Sequence, residues 1–253
     1  MSVKTERRGR VLIVTIDREE ARNAMNKEAA EGIEAALDEA ESDDDLWAVV
    51  ITGAGEKAFC SGMDLKAFIT GELPITSKGG FGGITTREFT KPLIAAVNGA
   101  ALAGGFELLL SCDVAVAADH ATFGIPEVKR GLMAAAGGLF RLPKRVPLAV
   151  ALEMAMTGEP ISAERALAFG LINRIVPGSA VLDEAVALAE VICENAPVAV
   201  RLSRQLVREA HELSEEEAWK KTNEYMTQVM QTEDVMEGPK AFAEKRKPEW
   251  KGR

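Results

Sequence analysis

Val97-Asn98-Gly99-Ala100-Ala101-Leu102-Ala103-Gly104-Gly105-Phe106-Glu107-Leu108-Leu109-Leu110-Ser111-Cys112-Asp113 is the stretch from which the fold can be read. An apolar run, Pro92 to Val97, precedes it and has the texture of a buried strand. Asn-Gly then breaks the run, small residues and a Gly-Gly pair follow, and a second apolar run contains one acid. Strand, tight turn, helix is the parse these residues favour. Gly104 and Gly105 carry no Cβ, so a ligand can approach the backbone where the first N–H groups of a helix have no internal acceptor. Glu107 stands one turn further on among Phe106, Leu108, Leu109 and Leu110. Burying a carboxylate there without a partner is costly, which marks it for chemistry; the alternative is an acid that complements the helix dipole.

Outward from this stretch, strands alternate with helical patterns, which indicates an α/β layer structure with parallel pairing. Val11 to Ile16, Trp47 to Thr52, Val114 to Ala117, Thr122 to Ile125 and Ile172 to Val176 are the expected strands. Lys27 to Ala40 has Ala30, Ile33, Leu37 and Ala40 on one face, and Leu148 to Met156 is bracketed by Pro147 and Gly158. Gly71 to Arg87, with its Gly, Thr and Ser residues, predicts a loop or broken helix. From Pro177-Gly178 onward only helical spacing remains: Val181 to Glu194, Val198 to His211, Glu215 to Thr232 with a Ser214/Glu217 capping box, and Pro239 to Lys247.

Two phosphate-loop readings fail on particular residues. Gly53 to Ala58 matches the G-x-G-x-x-A dinucleotide pattern, yet Phe59-Cys60-Ser61-Gly62 follows at once and offers no helical face. Gly99 to Phe106 has the glycine spacing of a nucleotide-binding loop, but Gly105 and Phe106 stand where Lys and Ser or Thr are required.

Composition sets outer limits. The 253 residues carry 30 basic and 39 acidic side chains, a formal net charge of −9, and no basic stripe for nucleic acid. Three widely spaced cysteines, Cys60, Cys112 and Cys193, suggest neither a disulfide framework nor a metal site, and point to a cytoplasmic setting. The charged first ten residues lack the apolar segment of a secretory signal, and no apolar run reaches membrane-spanning length. His120 and His211 lie in unrelated polar surroundings, so a Ser-His or Cys-His hydrolase is not expected.

The central stretch, together with Ala21-Arg22-Asn23-Ala24-Met25-Asn26, Ala58-Phe59-Cys60-Ser61-Gly62-Met63-Asp64-Leu65, Phe123-Gly124-Ile125-Pro126-Glu127-Val128 and Ala241-Phe242-Ala243-Glu244-Lys245-Arg246-Lys247, resembles the crotonase superfamily, founded on enoyl-CoA hydratase. The blocks span nearly the whole chain in family order. The resemblance implies a crotonase-like spiral of ββα units over residues 1–196, carrying the CoA and catalytic site, and a helical trimerisation region over 197–253. It also implies a homotrimer or a pair of stacked trimers, and an acyl-CoA thioester as substrate.

Hydration of a conjugated thioester needs an oxyanion hole plus groups that deliver water and a proton. Gly104 N–H is the candidate donor at the helix start, and the resemblance supplies Met63 N–H as its partner. Glu107 and Glu127 are the expected acid–base pair, since neighbouring carboxyls in a partly dry cavity acquire different proton affinities. By resemblance, Glu107 holds the water and Glu127 serves the α-carbon proton. Against this, Glu127 beside Lys129 and Arg130 also reads as a solvated turn residue. For the CoA moiety the resemblance points to Arg22, Ala24, Lys57, Ala58, Gly62, Asp64, Leu65, Gly105 and Lys245, the last from a neighbouring subunit, with Asp64 also read as a cap for the turn at Met63. The expected activity is reversible enoyl-CoA hydration with no separate cofactor, CoA being part of the substrate, and with no metal. Dehydration of a polar acyl-CoA, double-bond isomerisation and non-catalytic CoA binding are the rival readings. Phe106 and Met63 stand where smaller residues are common among straight-chain hydratases, which leaves the acyl group open.

Overall fold

The computed structural model describes all 253 residues. Strands β1 (Val3–Arg8) and β2 (Val11–Ile16) form a hairpin, followed by helix α1 (Lys27–Ser42), then β3 (Ala48–Gly53) and β4 (Ala58–Cys60). Helix α2 (Leu65–Ile69) leads to a small hairpin, β5 (Ile75–Thr76) and β6 (Gly80–Phe81). The central unit is β7 (Leu93–Val97), β8 (Ala100–Leu102) and α3 (Gly104–Ser111). Then come β9 (Val114–Ala118), β10 (Thr122–Gly124), a 3-10 turn at Pro126–Arg130, α4 (Gly138–Arg141) and α5 (Leu148–Thr157). Strand β11 (Ile161–Ser162), α6 (Ala163–Ala168), β12 (Arg174–Val176) and α7 (Val181–Cys193) complete the core, and α8 (Pro197–Glu209), α9 (Glu215–Met230) and α10 (Asp234–Glu244) end the chain.

Two sheets are wound together. The larger runs β1-β2-β3-β7-β9-β12, antiparallel only between β1 and β2, and the smaller runs β11-β10-β8-β4. The chain lays a strand in the large sheet, then one in the small sheet, then a helical segment, and repeats: β3–β4, β7–β8–α3, β9–β10. This is the ββα spiral. Every residue of β3, β4 and β7 is buried, because α7 packs on one face of the large sheet and the small sheet abuts the other.

Local chemistry explains the helix ends. Asn26 accepts from Ala29 N at 3.0 Å to start α1, and buried Lys91 donates to the Ala40 and Asp43 carbonyls at 2.6 and 2.8 Å to close it. Asp113 accepts from Arg204 and Arg208 at 2.6 and 2.7 Å and so clips α8 to the core.

The structure departs from the sequence expectations in five places. The turn after Val97 contains a strand, β8, too short and too rich in alanine to announce itself. Val3–Arg8 is a strand although it reads as charged chain, because an edge strand needs only the ladder offered by β2. The Gly71–Arg87 loop holds the β5–β6 hairpin. The strand expected to reach Ile125 stops at Gly124, and Glu127 lies in a 3-10 turn beyond it. The last helix starts at Asp234, five residues before Pro239, which sits inside it, and ends at Glu244.

Candidate active site

Helix α3 begins at Gly104, and neither Gly104 N–H nor Met63 N–H has an acceptor within the protein. Their closeness rests on Gly62, whose φ is +98°: a Cβ there would stand 2.8 Å from the Ala103 Cβ and 3.2 Å from the Gly104 nitrogen. Met63 is held from both sides, because Met25 N donates to Gly62 O at 2.7 Å and Asp64 N donates to Met25 O at 2.8 Å. The donor between them is thus fixed and free. Ala103, with φ +52° and ψ −131°, occupies a backbone region that a side chain disfavours, a strain of about 1–3 kcal/mol stored beside the second donor. The Phe81 ring from the small hairpin lies over Gly104, where a Cβ would meet it at 2.3 Å. At Gly105 a Cβ would come within 2.0 Å of the Cys60 carbonyl oxygen, so the missing side chain allows close packing of α3 on β4.

Glu107 is 3% exposed, and its Oε1 accepts from Ala136 N at 2.7 Å and Gly138 N at 2.8 Å. Burial pushes its carboxyl above the usual range, while these two N–H groups and the Arg141 charge oppose the rise. Glu127 is half-buried, and its Oε2 is shielded from solvent without a hydrogen-bond partner. Burial first, then the charge of Glu107, pushes Glu127 up to about 7. The two carboxyls therefore feel one another, as a shared cavity requires, and their environments differ: Glu107 has donors that favour its ionised form and Glu127 has none aimed at Oε2.

Arg22 and Lys57 line one open groove of about 580 Å³ with Glu19 and Glu20. The other nominated CoA contacts scatter. The Ala24 carbonyl accepts from Arg18, and the Ala58 carbonyl accepts from Asn23 at 2.7 Å and Asn98 at 3.1 Å. Asp64 pairs with Arg18 at 2.9 Å and caps α2 through Lys66 N and Ala67 N, while Leu65 opens that helix half-exposed. Lys245 closes α10 in the left-handed conformation.

Four supporting residues escaped the sequence reading. Asn98 accepts from Gly53 N and donates to the Gly55 and Ala58 carbonyls, and Asn23 donates to Ala54 and Ala58; together they lock the loop ahead of β4. Arg18 braces the Met63 loop through Asp64, and Arg141 braces the turn that donates to Glu107. Asn98 did show as a break, but its partners lie forty or more residues away. Cys60 is fully buried and its thiol is pushed up to about 12, so it is inert. A separate cavity of about 670 Å³ lies beneath α8, on the side of Arg141 lined by Arg204 and Arg208.

Residues 6–253 match the family model described as enoyl-CoA hydratase/isomerase. The carnitinyl-CoA dehydratase of Proteus mirabilis is 43% identical over 97% of this chain and 97% of its own. Among solved structures, an enoyl-CoA hydratase from Mycobacterium tuberculosis superposes with a TM-score of 0.97 at 46% identity, covering 100% of this chain and 99% of that one. A carnitinyl-CoA hydratase from Mycobacterium avium does so with a TM-score of 0.80 at 47% identity and the same coverage.

Proposed function

The chain belongs to the enoyl-CoA hydratase/isomerase family, and from that premise we propose that it is a hydro-lyase interconverting a 3-hydroxyacyl-CoA and its 2-enoyl-CoA, with carnitinyl-CoA as the first substrate to test. The observation that carries the reading is the coupled Glu107–Glu127 pair beside two unengaged main-chain donors. In the hydration direction Glu107, ionised and held through Oε1, takes a proton from the water whose oxygen bonds to C3. The C2=C3 electron pair shifts onto the thioester oxygen, where Met63 N–H and Gly104 N–H receive the enolate, each such donor being typically worth about 10²–10³ in rate. Glu127, proton-bearing up to about pH 7, then delivers its proton to C2. Dehydration runs the same steps backward; the pair holds one proton before and after the reaction and two while the enolate stands.

The identity to two carnitinyl-CoA enzymes supports a polar acyl group, and the negative charge left on the pair disfavours an anionic one. A straight-chain 2-enoyl-CoA is the second reading, supported by the likeness to the M. tuberculosis hydratase. Arg22 and Lys57 are proposed as the phosphate contacts of CoA because they share a groove.

A panel of crotonyl-CoA, longer 2-enoyl-CoAs, 3-enoyl-CoAs and carnitinyl-CoA, followed by mass spectrometry of the products, tests the proposal. Glu107→Gln and Glu127→Gln should each lower kcat by about 10²–10⁴ with small changes in KM. Isomerisation of a 3-enoyl-CoA without any gain or loss of water across the panel would overturn the hydro-lyase reading, and CoA binding without turnover of any thioester would overturn the enzymatic one.

A further inference from the structure

Arg141 is the last residue of α4, and its guanidinium touches three segments at once. Its Nη1 donates to the Ala136 carbonyl at 3.2 Å and to Ser111 Oγ at 3.3 Å, and its Nη2 donates to the Thr85 carbonyl at 2.6 Å. Each of those segments borders the proposed site. Ala136 and Gly138 supply the two N–H groups on Glu107, and Ser111 donates to the Glu107 carbonyl at 2.9 Å. Thr85 N in turn donates to the Phe81 carbonyl, and Phe81 covers Gly104.

None of the acceptors on Arg141 is a carboxylate, and no ion pair engages it. Its positive charge is thus left to act on Glu107.

We propose that Arg141 is the positioning residue of the hydro-lyase reaction, tying the Glu107-holding turn to the end of α3 and to the segment that carries Phe81. The proposal rests on the reading of Glu107 as the water-handling group. Arg141 does not contact reacting atoms; it acts by keeping the Ala136 and Gly138 donors on one carboxylate oxygen, so that the other is aimed outward at the water. A displaced carboxylate of this kind costs about 10–100-fold in rate. Its charge works in the same direction. Glu107 is faced by Glu127 from the 3-10 turn and by Arg141 from α4, and Arg141 is faced by Arg145 and by Arg208 of α8. Removing the guanidinium takes away the positive charge that opposes the effect of burial, which raises the proton affinity of Glu107.

Three variants test this. Arg141→Met should lower kcat by about 10–100-fold, leave KM within about threefold, and move the acidic limb of the kcat/KM profile to higher pH. Arg141→Lys should bring that limb back toward the native position while kcat stays low, because an ammonium restores charge without the planar fork. The 670 Å³ cavity lined by Arg141, Arg204 and Arg208 gives access from solvent, so millimolar guanidinium should raise the kcat of Arg141→Ala several-fold. The Glu107 carboxyl titration, read by difference infrared spectroscopy with Glu107→Gln as the blank, needs no turnover. It should move up in Arg141→Met even if the substrate assignment fails.

Native kcat and a native Glu107 midpoint in both Arg141→Met and Arg141→Lys would overturn the proposal. So would a loss of kcat that follows the thermal unfolding temperature with no shift of limb or midpoint and no guanidinium rescue. If Arg141→Met does not fold, Arg141→Lys decides alone: a native midpoint with kcat at least tenfold down supports the brace, and unchanged kcat sinks it.

Discussion

A single carboxyl shows how environment makes a role. Glu127 lacks a donor on its buried oxygen and faces the charge of Glu107, so its proton is held up to about pH 7 against an ordinary 4.5. The folded state therefore binds that proton more tightly than the unfolded chain does. Its contribution to stability is most favourable below pH 4.5 and is progressively lost as pH rises through 7. Glu127→Gln removes the penalty, so the variant should be more stable than the native protein by about 1–2 kcal/mol at pH 8, a figure reduced for the part of the group that solvent still reaches, and show no gain at pH 4. Denaturant unfolding at the two pH values checks this. Equal stability at pH 8 would mean that the carboxyl is solvated and unfit as the acid. A side chain that costs stability where the protein works is the expected mark of a functional group.

At the scale of elements, the oxyanion donors are products of how three segments meet. Met63 sits in a loop that β4 delivers, Met25 brackets it by two hydrogen bonds, and Arg18 reaches across to Asp64. The Arg18–Asp64 pair is only 15% and 16% exposed, so losing one charge strands the other in a poorly solvated place. Asp64→Asn keeps a side chain able to cap α2 but drops the charge. It should lower kcat about tenfold through a loosened Met63 N–H, with a smaller effect on KM. Stopped-flow assays that separate binding from turnover give the measurement, and unchanged kcat would show that the Met25 bonds suffice alone. Helix α3 has the complementary design: Ala103 is forced into a strained turn so that Gly104 N–H points away from the chain.

For the whole molecule, the terminal helices leave an imbalance. Helix α8 is anchored to the core by Arg204 and Arg208 on Asp113, yet Val207, Trp219, Met226, Met230, Met236 and Phe242 are half to nearly nine-tenths exposed. So many large apolar side chains in water on one end of a chain predict association. Assembly as trimers or stacked trimers, which the family resemblance implies, should appear in analytical ultracentrifugation as about three or six times the 27.1 kDa chain. Charged substitutions at Trp219 and Phe242 should shift that mass toward the monomer, and a native monomer would contradict the expectation.

By itself the sequence determined the α/β alternation, the break at Asn98-Gly99, the helix opening at Gly104, the Ser214 cap and the candidate pair Glu107 and Glu127, because periodicity, glycine placement and a lone acid in an apolar run are local signals. Strands β1 and β8 stayed hidden, since a charged edge and a three-residue Ala-Ala-Leu segment carry no pattern without a partner to pair with. That the charge of Glu107 reaches Glu127, that the Ala24 and Ala58 carbonyls accept from Arg18, Asn23 and Asn98, and that Arg141 contacts the turn donating to Glu107 were decided only by tertiary structure. Each depends on groups that separate elements bring together, and only the wound sheets set those distances.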